Sequence, residues 1–176
     1  MIKIRTSISL VLSVLLILSC NDKSGSSTIG ESITKASVVT SVENHLRMKI
    51  NGAEWVADHG IFGAFHPKGY NKAIIIGGSK GPKNESEQVF DINIYNTEGP
   101  GTYNFQDGNP ELSVAQMANW STETFLCGSM MGHNMRVNVS KASTNPAVIE
   151  ATFDGELTCN SGEVFHLTDG TFYYHE

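Results

Sequence analysis

Leu46, Met48 and Ile50 alternate with Arg47 and Lys49, and Asn51-Gly52 follows at once. A period of two puts alternate side chains on opposite faces of an extended strand. Asn-Gly is the pair that best supplies the two positive φ angles of a two-residue hairpin. Two residues cannot join parallel strands, so this stretch commits the chain to antiparallel sheet. Trp55 and Ala57 resume the alternation on the return strand.

The pattern recurs downstream. Ala73-Ile74-Ile75-Ile76 is a continuous apolar run and predicts a strand buried on both faces. Gly77 to Lys83 is expected to be a hairpin loop. Phe90, Ile92 and Ile94 alternate with Asp91 and Asn93, and Thr97 to Gly101 marks a turn into Thr102-Tyr103. Val137 and Val139 alternate with polar neighbours. Ile149, Ala151, Phe153, Gly155, Leu157 and Cys159 form one face of a longer run. Asn160-Ser161-Gly162 and Asp169-Gly170 are expected to turn the chain around Val164–Leu167 and Phe172–Tyr174. Roughly eight to ten short strands at eight-to-twelve-residue spacing predict an all-β domain over residues 45–176. An antiparallel β-sandwich is expected, with a closed or partly open lipocalin-like β-barrel as the alternative. The best helical segment is Glu111 to Asn119.

The chain opens with a different kind of segment. Lys3 and Arg5 precede an apolar stretch, Ile8 to Leu18, broken by Ser9 and Ser13. It is short for a membrane span and fits an export signal. It ends in Ile17-Leu18-Ser19-Cys20, which resembles the bacterial lipoprotein signal. That resemblance implies removal of residues 1–19 and diacylglyceryl transfer to the Cys20 thiolate. Two or three acyl chains would then hold the chain on a membrane, each buried CH₂ contributing about 0.8 kcal/mol. The expected location is the cell envelope, on the outer membrane, periplasmic or surface-facing. Residues 20–44 are the lipidated Cys and a Ser/Thr-rich tether, whose roughly 22 flexible residues would reach about 25 Å.

The whole chain has 12 Lys+Arg against 18 Asp+Glu, a net charge of −6. Cleavage before Cys20 removes Lys3 and Arg5, leaving 10 basic against 18 acidic residues, a net charge of −8. Such a body lacks the basic face that phosphate backbones require, so no nucleic-acid partner is expected.

The opening Asn51-Gly52, Trp55 and Ala57, the later Gly101-Thr102-Tyr103, and Gly170 with Phe172 resemble a group of small lipoproteins from Bacteroidetes-type bacteria. These carry a β-rich domain of unknown function. The resemblance spans about residues 46–174 and implies an envelope lipoprotein. Its motifs are turn and core residues, so it transfers no catalytic group.

An exported chain lives where disulfides persist, so Cys127 and Cys159 are expected to be bridged, two separate buried thiols being the alternative. Met131, His133 and Met135 lie at two-residue spacing, and thioether with imidazole suits Cu(I), so they form an alternative copper site. Otherwise no metal or cofactor is expected. His59 and His66 lack further zinc ligands nearby and are read as exposed loop histidines. The Gly-rich segment 77–83 lacks the phosphate-loop spacing, and no H-E-x-x-H occurs. Asp154-Gly155 and Asp169-Gly170 head no calcium-ligand series. Tyr70 and Trp120, aromatics in polar settings, are the candidate ligand-binding residues. The first expectation for function is a non-catalytic module binding a glycan, small ligand or protein partner. The alternatives are an accessory subunit docked through a bare strand edge, and a hydrolase whose acidic residues meet only in the fold.

Overall fold

Asn51 and Gly52 take φ angles of 49° and 84° and form the tight turn between β1 (His45–Ile50) and β2 (Ala53–Val56). Arg47 faces Val56 and Met48 faces Trp55 across the hairpin. The computed structural model describes residues 43–68, 72–106, 108 and 112–176. At Ala57-Asp58 the chain leaves this sheet for a second one. The Ala57 N–H donates to the Leu46 carbonyl and the Asp58 N–H to the Ser79 carbonyl, each at 2.9 Å. β3 (His59–His66), β4 (Ala73–Lys80) and β5 (Gln88–Tyr95) then form a meander.

β6 (Gly101–Gln106) returns to the first sheet, and β7 (Val114–Ala118) and β8 (Leu126–Gly128) complete the second. A single 3-10 turn, Ser129–Met131, leads to three long strands, β9 (His133–Thr144), β10 (Ala147–Thr158) and β11 (Val164–His175). The first sheet has six strands in the order β2-β1-β11-β10-β9-β6, and the second has five in the order β3-β4-β5-β7-β8. All named strand pairs are antiparallel. Two open sheets face one another, so the fold is an all-β sandwich and not the barrel alternative.

The inward residues make one core. Leu46, Met48, Ile74, Ile76, Phe90, Ile92, Ile94, Val137, Ile149 and Leu157 are buried there. Trp55, Phe90 and Phe153 run through its centre, with ring centroids 6.2 Å and 5.5 Å apart. Each such side chain stabilises the fold by about 1.5–3 kcal/mol through burial. The Trp55 indole N–H donates to Gln88 Oε1 at 2.9 Å, so its polar end is satisfied at the core's edge. Cys127 and Cys159 form a disulfide with S–S 2.02 Å, linking β8 to the end of β10 and so one sheet to the other. Beside it the Leu126 N–H donates to Asn160 Oδ1 and the Asn160 N–H donates to the Leu126 carbonyl.

Several sequence expectations are corrected. Val114–Ala118, within the helical expectation for 111–119, is the strand β7, because pairing with β5 outweighs local propensity. The run from Ala73 extends to Lys80, so the connection begins at Gly81, not Gly77. Gly78 belongs to the strand interior, since a Cβ there would lie 2.9 Å from Ala57 Cβ and 3.0 Å from Leu46 Cδ2. Ile75 is half-buried and faces outward. Asp169-Gly170 does not end a strand. Lys49 pairs with Thr168 but Arg47 with Thr171, and Gly155 pairs with Leu167 but Phe153 with Gly170. β11 thus carries one extra residue against both neighbours, a bulge at which Asp169 has φ 54°.

Candidate functional site

The pleat of the five-stranded sheet sends Ile74, Ile76, Phe90, Ile92 and Ile94 inward, and leaves their neighbours on the outer face. Register aligns those neighbours in rows. Phe62, Gly77, Asp91 and Gln116 lie side by side on β3, β4, β5 and β7. The next row is Ala64, Ile75, Asn93 and Val114.

Asp91 is the centre of this face. Its Oδ1 accepts from Asn93 Nδ2 at 2.8 Å and its Oδ2 from Gln116 Nε2 at 2.9 Å. Burial pushes the Asp91 carboxyl above the ordinary carboxylate range, and the two amide donors offset part of that. With their N–H groups turned toward Asp91, the amide oxygens of Asn93 and Gln116 take no hydrogen bond from other described residues. The trio therefore presents acceptors, and the second N–H of each amide, to whatever meets the sheet.

Among the described residues, a Cβ built on Gly77 would meet only Phe90 O at 3.8 Å and Asp91 Cβ at 3.9 Å, both ordinary contacts. Its φ is not among the positive ones, so neither packing nor conformation demands glycine there. Phe62 stands on the next strand, 50% exposed, and touches Tyr174 at a centroid distance of 5.9 Å. Its ring does not cover Gly77, since none of its atoms comes within 4 Å of that Cβ position.

A second cluster sits at the start of β3. His59 Nδ1 lies on Asp58 Oδ1 and His59 Nε2 is 2.9 Å from Glu87 Oε1. Asp58 Oδ2 also accepts the Gly81 N–H at 3.1 Å. The Asp58 hydrogen bond, with help from Glu87, raises the His59 pKa. The Gly81 amide and then His59 hold Asp58 below its usual range. The Ser79 hydroxyl and then His59 do the same for Glu87. Serine, histidine and carboxylates are thus together, but both ring nitrogens of His59 face carboxylates rather than Ser79. That is not the nucleophile–base order of acyl transfer. The cluster is an ionic clamp holding the 81–87 connection to the β2–β3 corner. His59 is consequently a half-buried strand residue rather than the exposed loop histidine expected, whereas His66 is exposed at the end of β3.

The clamp belongs to a wider loop network. Asn119 Nδ2 donates to the Glu87 carbonyl and Gln88 Nε2 to the Trp120 carbonyl. Thr124 Oγ1 donates to Ser161 Oγ, and Asn160 Nδ2 to the Glu123 carbonyl. The half-buried Trp120 ring packs edge-on against Phe165 at 5.0 Å, so it serves the core margin. Tyr70 and Cys20 lie outside the described residues. Tyr173 stacks on His45 on the outer face of the six-stranded sheet.

Met131, His133 and Met135 do not converge. Met131 is 42% exposed in the 3-10 turn, and Met135 is buried in the core. The His133 nitrogens face the Ser129 and Ser113 carbonyls at 3.3 and 3.1 Å. Among the described residues no group of three or more His, Cys, Asp or Glu is placed to hold a metal.

The outer-face trio was partly visible in advance, since Asp91 and Asn93 alternate with Phe90, Ile92 and Ile94. Gln116 was hidden by the helical reading of its segment. Glu87 and Asp58 gave no signal beyond their proximity to turn residues. Comparisons with protein-family models, with curated proteins and with solved structures find no match to this chain. The fold alone defines the class, an antiparallel β-sandwich with a polar trio on one outer face.

Proposed function

We propose that the chain is a lipid-anchored protein of a bacterial cell envelope whose β-sandwich is a non-catalytic binding module. The outer-face trio of Asp91, Asn93 and Gln116 carries this reading. It is a costly arrangement, because a half-buried carboxylate held by two side-chain amides does not serve packing. The amide oxygens of Asn93 and Gln116 take no hydrogen bond from other described residues. The anchor rests on the Cys20 motif and on the resemblance to small Bacteroidetes-type lipoproteins. The first described residues meet the domain beside its C-terminus, where Asn44 Nδ2 donates to the His175 carbonyl at 3.1 Å. The linked connections at 119–125 and 160–163 lie at the other end of β11, twelve residues away.

The test compares wild type with Cys20→Ala in membrane fractions and in fatty-acid labelling. Label and membrane retention in wild type alone are expected. A variant as fully membrane-bound as wild type contradicts the anchor. A pull-down from the same membranes tests the second reading, an accessory subunit of an outer-membrane complex. That reading is favoured by β6, an edge strand, Gly-Thr-Tyr-Asn-Phe-Gln, without the Lys or Pro that usually blunts an edge.

A further inference from the structure

We infer that the outer face of the five-stranded sheet is a carbohydrate site, taking a neutral pyranose over Gly77 between Phe62 and the Asp91–Asn93–Gln116 trio. This rests on the binding-module reading above and names its ligand. Three observations converge. Gly77 lies within β4, the second strand of its sheet, where glycine weakens the strand and where a side chain would meet no obstacle. Glycine inside a strand often marks a place where a ligand or another backbone approaches closely. Phe62, one strand away and 50% exposed, supplies an apolar side chain in the same row. Asp91 and Gln116, on the two strands beyond, supply a carboxylate and an amide in the same row, and Asn93 adds a second amide.

The dimensions suit a sugar. Adjacent strands are about 4.8 Å apart, so Phe62 and Asp91 stand about 10 Å apart, with Gly77 midway. One pyranose ring fits that gap. Its axial C–H groups are apolar and fit an aromatic edge, while its equatorial hydroxyls both donate and accept. Carboxylate and amide oxygens accept from those hydroxyls, and the spare amide N–H groups donate to them. A divalent cation fits less well. It would need more than one carboxylate, and burial already disfavours the charge on the single one present.

The test uses the full chain as its own cells produce it, in a zwitterionic detergent without a sugar headgroup. The probes are neutral glucan, mannan, xylan, galactan and chitin oligosaccharides, followed by calorimetry. At least one should bind with a Kd below about 1 mM. Gly77→Val, which fills the floor, and Phe62→Ala, which removes the apolar side chain, should each weaken it about tenfold or more. The thermal midpoint of Gly77→Val should not fall, which separates loss of the site from loss of the fold. A blank across the panel overturns the inference, as does binding unchanged in both variants. Blank sugars together with a cation or envelope polypeptide that Gly77→Val displaces would refute the carbohydrate and leave the binding module standing. The failure of Cys20 lipidation bears on neither result.

Discussion

Replacing Cys127 and Cys159 together by alanine should cost this sandwich more than any single surface change. The bridge spans a sequence separation of 32 residues. In the chain-entropy model a loop of that length removes about 12.4 cal/mol/K from the unfolded ensemble, or about 3.7 kcal/mol at 25 °C. An unfolding entropy near 2.1 cal/mol/K per residue gives about 0.27 kcal/mol/K for a domain of about 130 residues. The midpoint should therefore fall by about 14 °C, and further through lost packing, since both cysteines are buried. Calorimetric melting of the double variant is the assay. Added reductant is a poorer one, because the buried bond is reached only on opening. The hydrogen bonds between Leu126 and Asn160 remain in the variant, so far-UV circular dichroism at 20 °C should be unchanged. A fall of less than about 5 °C with an intact spectrum would refute the reasoning.

The clamp around His59 predicts a stability profile with two limbs. His59 is raised, so its contribution is complete below its unfolded value of 6.5 and is lost as pH climbs through the folded one. Asp58 and Glu87 are lowered, so theirs is complete above their ordinary values of 3.8 and 4.5 and is lost on acidification. His59→Gln should therefore flatten the alkaline limb above pH 6.5 in midpoint-versus-pH scans, and an unaltered limb would contradict the clamp. Asp91 has the opposite sign from the other carboxylates. Its raised pKa means the ionised form is disfavoured in the fold, so Asp91→Asn should melt higher than wild type at pH 7, with the gain fading in acid. A lower midpoint at pH 7 would show the amide bonds to outweigh burial. Gly170→Ala should be severely destabilising, by more than about 2 kcal/mol in denaturant titration, because its Cβ would lie 2.4 Å from the Phe153 carbonyl oxygen. A loss below about 0.5 kcal/mol would mean the bulge yields freely.

Much of the fold was legible because period-two alternation and turn chemistry are local signals. Leu46 to Ala57 shows both, and its hairpin forms where the pattern places it. Trp55 and Phe90 could be assigned to the core from alternation alone. What failed was tertiary. The segment 114–118 becomes a strand only because β5 and β8 lie on either side of it. Asp169-Gly170 has turn composition, yet two flanking strands hold it inside β11 as a bulge. The candidate site shows the same limit. Asp91 and Asn93 announce an outward polar pair, but Gln116 and Phe62 join them only through register across four strands. Gly77 looked like loop composition, and its meaning depends on its place in the row between Phe62 and Asp91, which no sequence pattern carries.

The central claim is that this sandwich binds through the outer face of its five-stranded sheet. The most direct measurement is amide chemical-shift mapping of the isotope-labelled protein titrated with the soluble polysaccharide fraction of its own cells' envelope. The account predicts shifts concentrated at Phe62, Gly77, Asp91, Asn93 and Gln116, absent in Gly77→Val. Shifts gathered along β6 or around the 81–87 and 119–125 connections, with that face silent, would contradict it.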